Sequence, residues 1–275
     1  MTKQTIQHTP NRRQALFWML ILIIVPFLFF FRMKIQSFFY SKTQCNEPRR
    51  REWRSFDVAI PPGYAVHGID VSHYSCFIDW KEVKKMNQNG IRVDFAYMRA
   101  TRGLDLVDYQ FPKNWENVRE AQILRGAYHF FTFRDNPVDQ ARFFLQNVPI
   151  ERGDLPPVLD IENDKDVDDR RLNRDDILRG ISAWLELVER QTGVRPMIYT
   201  NLDYYKRYIA GNFRAYPIWI ASYKSMGTVA LPDKKQWFFW QFSEKARCNG
   251  ISEPIDLNIF AGTIEQLYGL CKRTR

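Results

Sequence analysis

One short stretch limits the fold more than any other: Pro156-Pro157-Val158-Leu159-Asp160-Ile161-Glu162-Asn163. Its apolar run suits a strand buried on both faces, the kind found in parallel sheets covered by helices. Side chains alternate along a strand, so Asp160 and Glu162, at i and i+2, share one face. Acids are seldom buried without a purpose. Two carboxylates at close range also resist ionising together, so one pKa should rise. The result is a proton donor beside a charged carboxylate, the pairing that glycoside hydrolysis needs. For the tripeptide alone the plainer reading is an acidic strand end running into the polar loop at 164–169. The rest of the chain shifts that balance.

From residue 63 onward, short apolar runs alternate with amphipathic stretches, the signature of β/α units. Strands are expected at 67–71, 94–99, 125–131, 156–163, 196–200, 216–221, 236–242 and 255–259. Helices are expected at 79–89, stopped by Gly90, and at 109–124. Another runs to residue 147 from Asn136 as cap, with Pro137 in its first turn. The longest covers 174–191, with Ile177, Ile181, Trp184 and Val188 on one face and Gly193 at its end, and the last covers 263–270. About eight strands against five to six helices describe an α/β protein, an irregular TIM-like β/α barrel with its later crossovers shortened or missing. Chemistry in such barrels sits at the strand C-terminal ends. Polar groups recur there: Asp70, Arg99, His129, Asp160, Glu162, Tyr199, Tyr223, Gln241 and Asp256. Acids at four strand ends are harder to explain by solvation than an acid at one.

Charge decides what the chain does not bind. The net charge is +9, yet the first 60 residues hold ten Lys and Arg against three acids, leaving only +2 for the rest. The basic excess therefore flanks an apolar segment instead of coating the folded domain, which argues against a nucleic-acid partner. That segment, residues 15–31, has 17 residues without a charge, between Arg12-Arg13 and Arg32. It is just long enough to cross a bilayer, and no small-residue cleavage site follows it. The expectation is an uncleaved signal anchor. Three domains follow: a tip and transmembrane anchor at 1–40, a basic tether at 41–62, and the barrel at 63–275. Three Lys/Arg precede the span and six follow it closely, a bias that by itself places the barrel in the cytoplasm. The four cysteines lack metal-type spacing. They admit two disulfides, Cys76 with Cys248 and Cys45 with Cys271, or free buried thiols.

The motifs resemble a known family. His67-Gly68-Ile69-Asp70-Val71-Ser72 with Ile78-Asp79-Trp80 resembles the opening of glycoside hydrolase family 25 lysozymes, the Chalaropsis-type N-acetylmuramidases. Matches continue in order through Tyr97-Met98-Arg99-Ala100-Thr101-Arg102-Gly103, Gly126-Ala127-Tyr128-His129-Phe130 and Leu159-Asp160-Ile161-Glu162. They end with Ile198-Tyr199-Thr200, Trp219-Ile220-Ala221-Ser222-Tyr223, Trp240-Gln241-Phe242-Ser243 and Ile255-Asp256-Leu257-Asn258. Each motif is weak alone; the ordered set, over about residues 66–270, is specific.

The resemblance implies cleavage, with retention, of the β-1,4 bond between N-acetylmuramic acid and N-acetylglucosamine in peptidoglycan, without metal or cofactor. It implies Glu162 as general acid/base, Asp160 supporting charge at the reacting centre, and Asp70 and Asp256 completing an acidic floor. Either a carboxylate or the substrate's own N-acetyl group then attacks the anomeric carbon, and the resemblance favours the second. Tyr97, Arg99, Tyr128, Tyr199, Trp219, Tyr223 and Gln241 are candidates for holding substrate, with Trp240 a further sugar-stacking candidate. Arg99 and Arg102 suit a lactyl or peptide carboxylate, or else a loop salt bridge to Asp105 or Asp108. His129 is read as buried and hydrogen-bonded. A wall substrate puts the barrel on the periplasmic face of a bacterial inner membrane, opposite to the charge bias, and a monomer is expected. Two rivals are a wall-binding module without chemistry and a chitinase-like glycosidase. The second is disfavoured because Val158 stands two residues before Asp160, where such enzymes carry another acid. A hydrolase facing the cytoplasm is a third.

Overall fold

The computed structural model describes residues 53–164, 168–223 and 227–272. The anchor segment at 15–31, most of the tether and Cys45 lie outside them. Among the described residues no helix is long and apolar enough to cross a membrane.

Eight strands form the barrel: β1 (Val66–Val71), β2 (Phe95–Arg102), β3 (Leu124–Phe130), β4 (Val158–Ile161), β5 (Met197–Asn201), β6 (Ile218–Ala221), β7 (Phe239–Ala246) and β8 (Ile255–Phe260). From β1 to β7 each strand pairs in parallel with the next. Strand β8 closes the barrel by running antiparallel to both β7 and β1. Helices α1 (Trp80–Lys85), α2 (Phe111–Glu120), α3 (Pro137–Asn147) and α4 (Arg174–Thr192) cover the early strands, and α5 (Ile264–Leu270) ends the fold. The β5–β6 crossover is reduced to Leu202–Tyr204 and a π-helical turn, Tyr205–Ile209. No helix joins β6 to β7 among the described residues.

Alternation along the strands divides the core into two layers. Outward-facing Ile69, Ala96, Met98, Leu159, Ile161, Ile198 and Ile220 pack with Ile177, Ile181, Trp184 and Val188 of α4. Asn173 caps that helix through Asp175 and Asp176 amides, and Gly193 ends it in the left-handed region at φ 69°. Inward-facing Val66, Phe95, Tyr97, Val158, Met197, Trp219, Phe239 and Phe260 fill the barrel. Two glycines make room for them. A Cβ on Gly68 would lie 2.4 Å from the Phe95 ring, and one on Gly126 would lie 2.1 Å from Tyr97.

Two expectations fail. Helix α1 stops at Lys85 because Asn89 and Gly90, at φ 53° and 91°, turn a tight hairpin between Asn87–Gln88 and Ile91–Arg92. The Asn-Gly hairpin signal overrides the apparent helical run. Neither expected disulfide forms. Cys76 is disulfide-bonded, while Cys248 and Cys271 are buried free thiols, the alternative the sequence left open. They sit in different layers, Cys248 in the outer core and Cys271 under the barrel interior, where each fills apolar volume.

Candidate active site

The carboxyl ends of the strands open onto a cavity of about 250 Å³. Five carboxylates line it: Asp70, Asp160, Glu162, Glu244 and Asp256. Tyr128, Tyr199, Trp219, Tyr223 and Gln241 complete the wall, and no Lys or Arg of the described residues does.

Asp70 is the anchor of a directed hydrogen-bond network. Its Oδ1 accepts from Gln241 Nε2 at 2.8 Å and from Asn258 Nδ2 at 2.7 Å. The amides are themselves oriented: Gln241 Oε1 accepts from the Tyr199 and Tyr223 hydroxyls at 2.8 and 2.6 Å, and Asn258 Oδ1 accepts from Trp219 Nε1 at 2.8 Å. Asp256 faces Asp70 directly across the β1–β8 pair, a placement that like charges would resist. Burial lifts both carboxyls above the usual range. Hydrogen bonds from Asn258, Gln241 and Asp256 draw Asp70 back down. The charges of Asp70, Glu244 and Glu162, and the bond to Asp70, lift Asp256 further.

Asp160 is a different case. It is 3% exposed, and its Oδ1 has no hydrogen-bond partner among the described residues. Burial first, then the charges of Glu162 and Asp70, pushes it well above the ordinary carboxylate range, and Arg99 pulls the other way. Glu162 follows the last residue of β4 and is half-buried at the mouth. The two carboxylates of the sequence motif therefore do line one cavity.

Other residues move to different roles. Tyr97 is fully buried below the cavity, its hydroxyl donating to the Pro156 carbonyl at 3.2 Å, so it is floor and cannot touch substrate. Trp219 lines the cavity but is 1% exposed and tied to Asn258, which leaves no face for a sugar. Trp240 is core, donating to Ser222 O at 2.8 Å. Arg99 does not line the cavity. Its Nε pairs with buried Asp108 at 3.2 Å and its guanidinium also meets His73, so only its field reaches Asp160. Arg102 pairs with Asp164 at 2.8 Å. His129 is buried between Thr101 Oγ1 at 2.7 Å and Gln140 Oε1 at 3.1 Å, a structural residue as expected.

Two site residues escaped sequence reasoning. Asn258 stands at i+2 from Asp256, and the same alternation that pairs Asp160 with Glu162 points to it. Glu244 gave no signal, because irregularities in β7 on both sides of Ser243 break the alternation from Gln241.

The model of glycosyl hydrolases family 25 matches residues 69–251. YegX of Escherichia coli O6:H1, a protein described as uncharacterized, is 41% identical over 240 residues, 85% of each chain. Lysozyme M1 of Streptomyces globisporus is 31% identical over 219 residues, 76% of this chain and 72% of that one. A family 25 glycosyl hydrolase from Bacillus anthracis superposes with a TM-score of 0.71 at 32% identity, covering 80% of this chain and 99% of the other. The chain belongs to glycosyl hydrolase family 25.

Proposed function

We propose that this peptidoglycan hydrolase of lysozyme type cleaves the β-1,4 bond between N-acetylmuramic acid and N-acetylglucosamine with retention, Glu162 acting as acid and then as base. The observation that carries the reading is the buried, unpartnered Oδ1 of Asp160 beside Glu162 in a cavity lined by acids. Glu162 protonates the glycosidic oxygen as the C1–O bond breaks. The N-acetyl carbonyl oxygen of the muramyl residue closes onto C1 and forms an oxazolinium ion. Asp160 Oδ1 accepts the amide N–H and offsets the positive charge, an interaction that favours its ionised form. Water then attacks C1 and gives its proton to Glu162, which restores the configuration and the enzyme. Asp70, held by two amides, faces Asp256 across the floor, where burial and the neighbouring acids favour the neutral form of Asp256.

Purified peptidoglycan treated with the wild type and with Glu162→Gln, followed by mass spectrometry, tests the reading. Reducing N-acetylmuramic acid ends from the wild type alone are expected; reducing N-acetylglucosamine ends would change the bond assigned. Strong inhibition by a thiazoline analogue of the muramyl ring is expected for neighbouring-group participation. A trapped glycosyl ester on Asp160 would replace it with direct attack.

Residues 15–31 anchor the protein in a membrane, with the barrel on the side of the wall. Their uncharged run supports the anchor. The disulfide at Cys76 supports an oxidising compartment against the Lys/Arg count. Protease added to intact spheroplasts digests the barrel if this orientation holds and spares it if the barrel is cytoplasmic.

A further inference from the structure

The cavity is small for its polymer: about 250 Å³, below the usual range of about 300–1,000 Å³ for ligand pockets. A glycan strand entering it must continue over the loops at the carboxyl ends of the strands, and the loop after β1 carries an exposed aromatic ring. Tyr74, in the loop after β1, is 73% exposed, the most exposed of the large apolar side chains described.

The loop that presents it is tied down on every side. Ser72 and Ser75 form a capping box around the single turn His73–Ser75. The Asp108 carboxylate, 1% exposed, accepts from the His73 backbone N–H at 2.8 Å and lies 3.0 Å from its Nδ1. Cys76, at φ 59°, is held by its disulfide. The Tyr74 ring lies 4.1 Å from the His73 ring and 5.4 Å from the Arg99 guanidinium. Arg99 pairs in register with Tyr128, which lines the cavity, so the platform stands at the same carboxyl end of the barrel as the site. Holding an exposed aromatic rigid buries little and costs side-chain entropy. Such a mounting is what preorganised recognition of a flat apolar face requires.

We propose that Tyr74 is a distal saccharide subsite, its ring stacking on the C–H face of a pyranose of the glycan strand beyond the cleaved bond. The Arg99 guanidinium and the His73 ring back the tyrosine from within. Tyr223, 46% exposed, lines the cavity itself and gives the strand a second aromatic contact within the site. This inference rests on the reading of the cavity as a glycan-cleaving site.

The test compares Tyr74→Ala and Tyr74→Trp with the wild type on two substrates, long glycan strands freed of peptide and a muramyl-containing tetrasaccharide. The expected result is a fall of about fivefold in the ratio of kcat/KM for long to short substrate in Tyr74→Ala, carried by KM, and recovery in Tyr74→Trp. Equal losses on both substrates, or none on either, would overturn the subsite. Affinity for the same long strands is measured in parallel on Glu162→Gln with and without Tyr74→Ala. A drop of similar size supports the platform even if turnover is absent, whereas tight and equal binding by both rejects it. Absence of turnover in the wild type beside such binding would instead fault the catalytic reading alone.

Discussion

The two ends of the barrel bury charge in opposite ways. At the amino end, Arg125 of β3 is 3% exposed but fully engaged: Nε meets Asp154 at 2.7 Å, NH1 donates to the Trp115 carbonyl at 2.8 Å, and the guanidinium stacks 4.0 Å over the Trp115 ring. At the carboxyl end, Asp160 is equally buried at 3%, one of its oxygens has no partner among the described residues, and four other acids share its cavity. The first arrangement compensates desolvation with ion pairing and hydrogen bonds. The second leaves it uncompensated, and the protein holds the strain as raised pKa values. The paired arrangement serves the fold, and the unpaired acid fits the catalytic role proposed for Asp160.

The contrast is broken most sharply at Glu162. Glu162→Gln should lower turnover of peptidoglycan by about 10³-fold, within the range for loss of a general acid, with the melting temperature held within a few degrees. A comparable activity in the variant would move the acid to another carboxylate. The opposite behaviour is expected at the amino end. Arg125→Met leaves Asp154 buried without its cation and should cost about 3–5 kcal/mol of stability, read by denaturant unfolding, while the folded fraction keeps its specific activity. Between the two ends, Gly126→Ala drives a methyl into the Tyr97 ring and should destabilise by about 1–3 kcal/mol.

The smallest effect is the most diagnostic of sign. A carboxyl whose pKa is raised by folding binds protons in the native state that the unfolded chain has released. Stability therefore falls as pH climbs from the ordinary carboxylate range toward the raised value. Asp256→Asn removes that liability, so its melting temperature should decline less between pH 5 and pH 8 than that of the wild type, a gain of about 1 kcal/mol at the upper end. His67 and His129, pushed down to about 4 by burial, act in the opposite direction. They bind no proton in the native state until well below the unfolded value, so they erode stability only on acidification, in both proteins alike.

Much of this was legible in the sequence, and the reasons are local. Val158-Leu159-Asp160-Ile161 reads as a buried strand because no face of it tolerates water until its end, and strand β4 is found there. Gly193 ends α4 as read, because C-capping chemistry depends on neighbours only. What the sequence hides depends on contacts between distant segments. Tyr97 and Tyr128 share a parity and a strand-end motif, yet Tyr97 drops to the floor because Gly126 leaves a hole for its ring. Arg99 pairs with Asp108, one of the two alternatives the sequence left open, and only the folded loop after β2 decides between them. Glu244 joins the cavity only because β7 breaks its register.

Asp160→Asn tests the central claim most directly, because it replaces the unpaired buried acid with a neutral side chain of the same shape. Measured at pH 8, kcat/KM on peptidoglycan should fall by about 10²–10³-fold while the melting temperature stays level or rises. A variant that loses stability along with activity, or that keeps its activity, would show that the acidic end of the barrel is held together by Asp160 instead of being held in readiness by it.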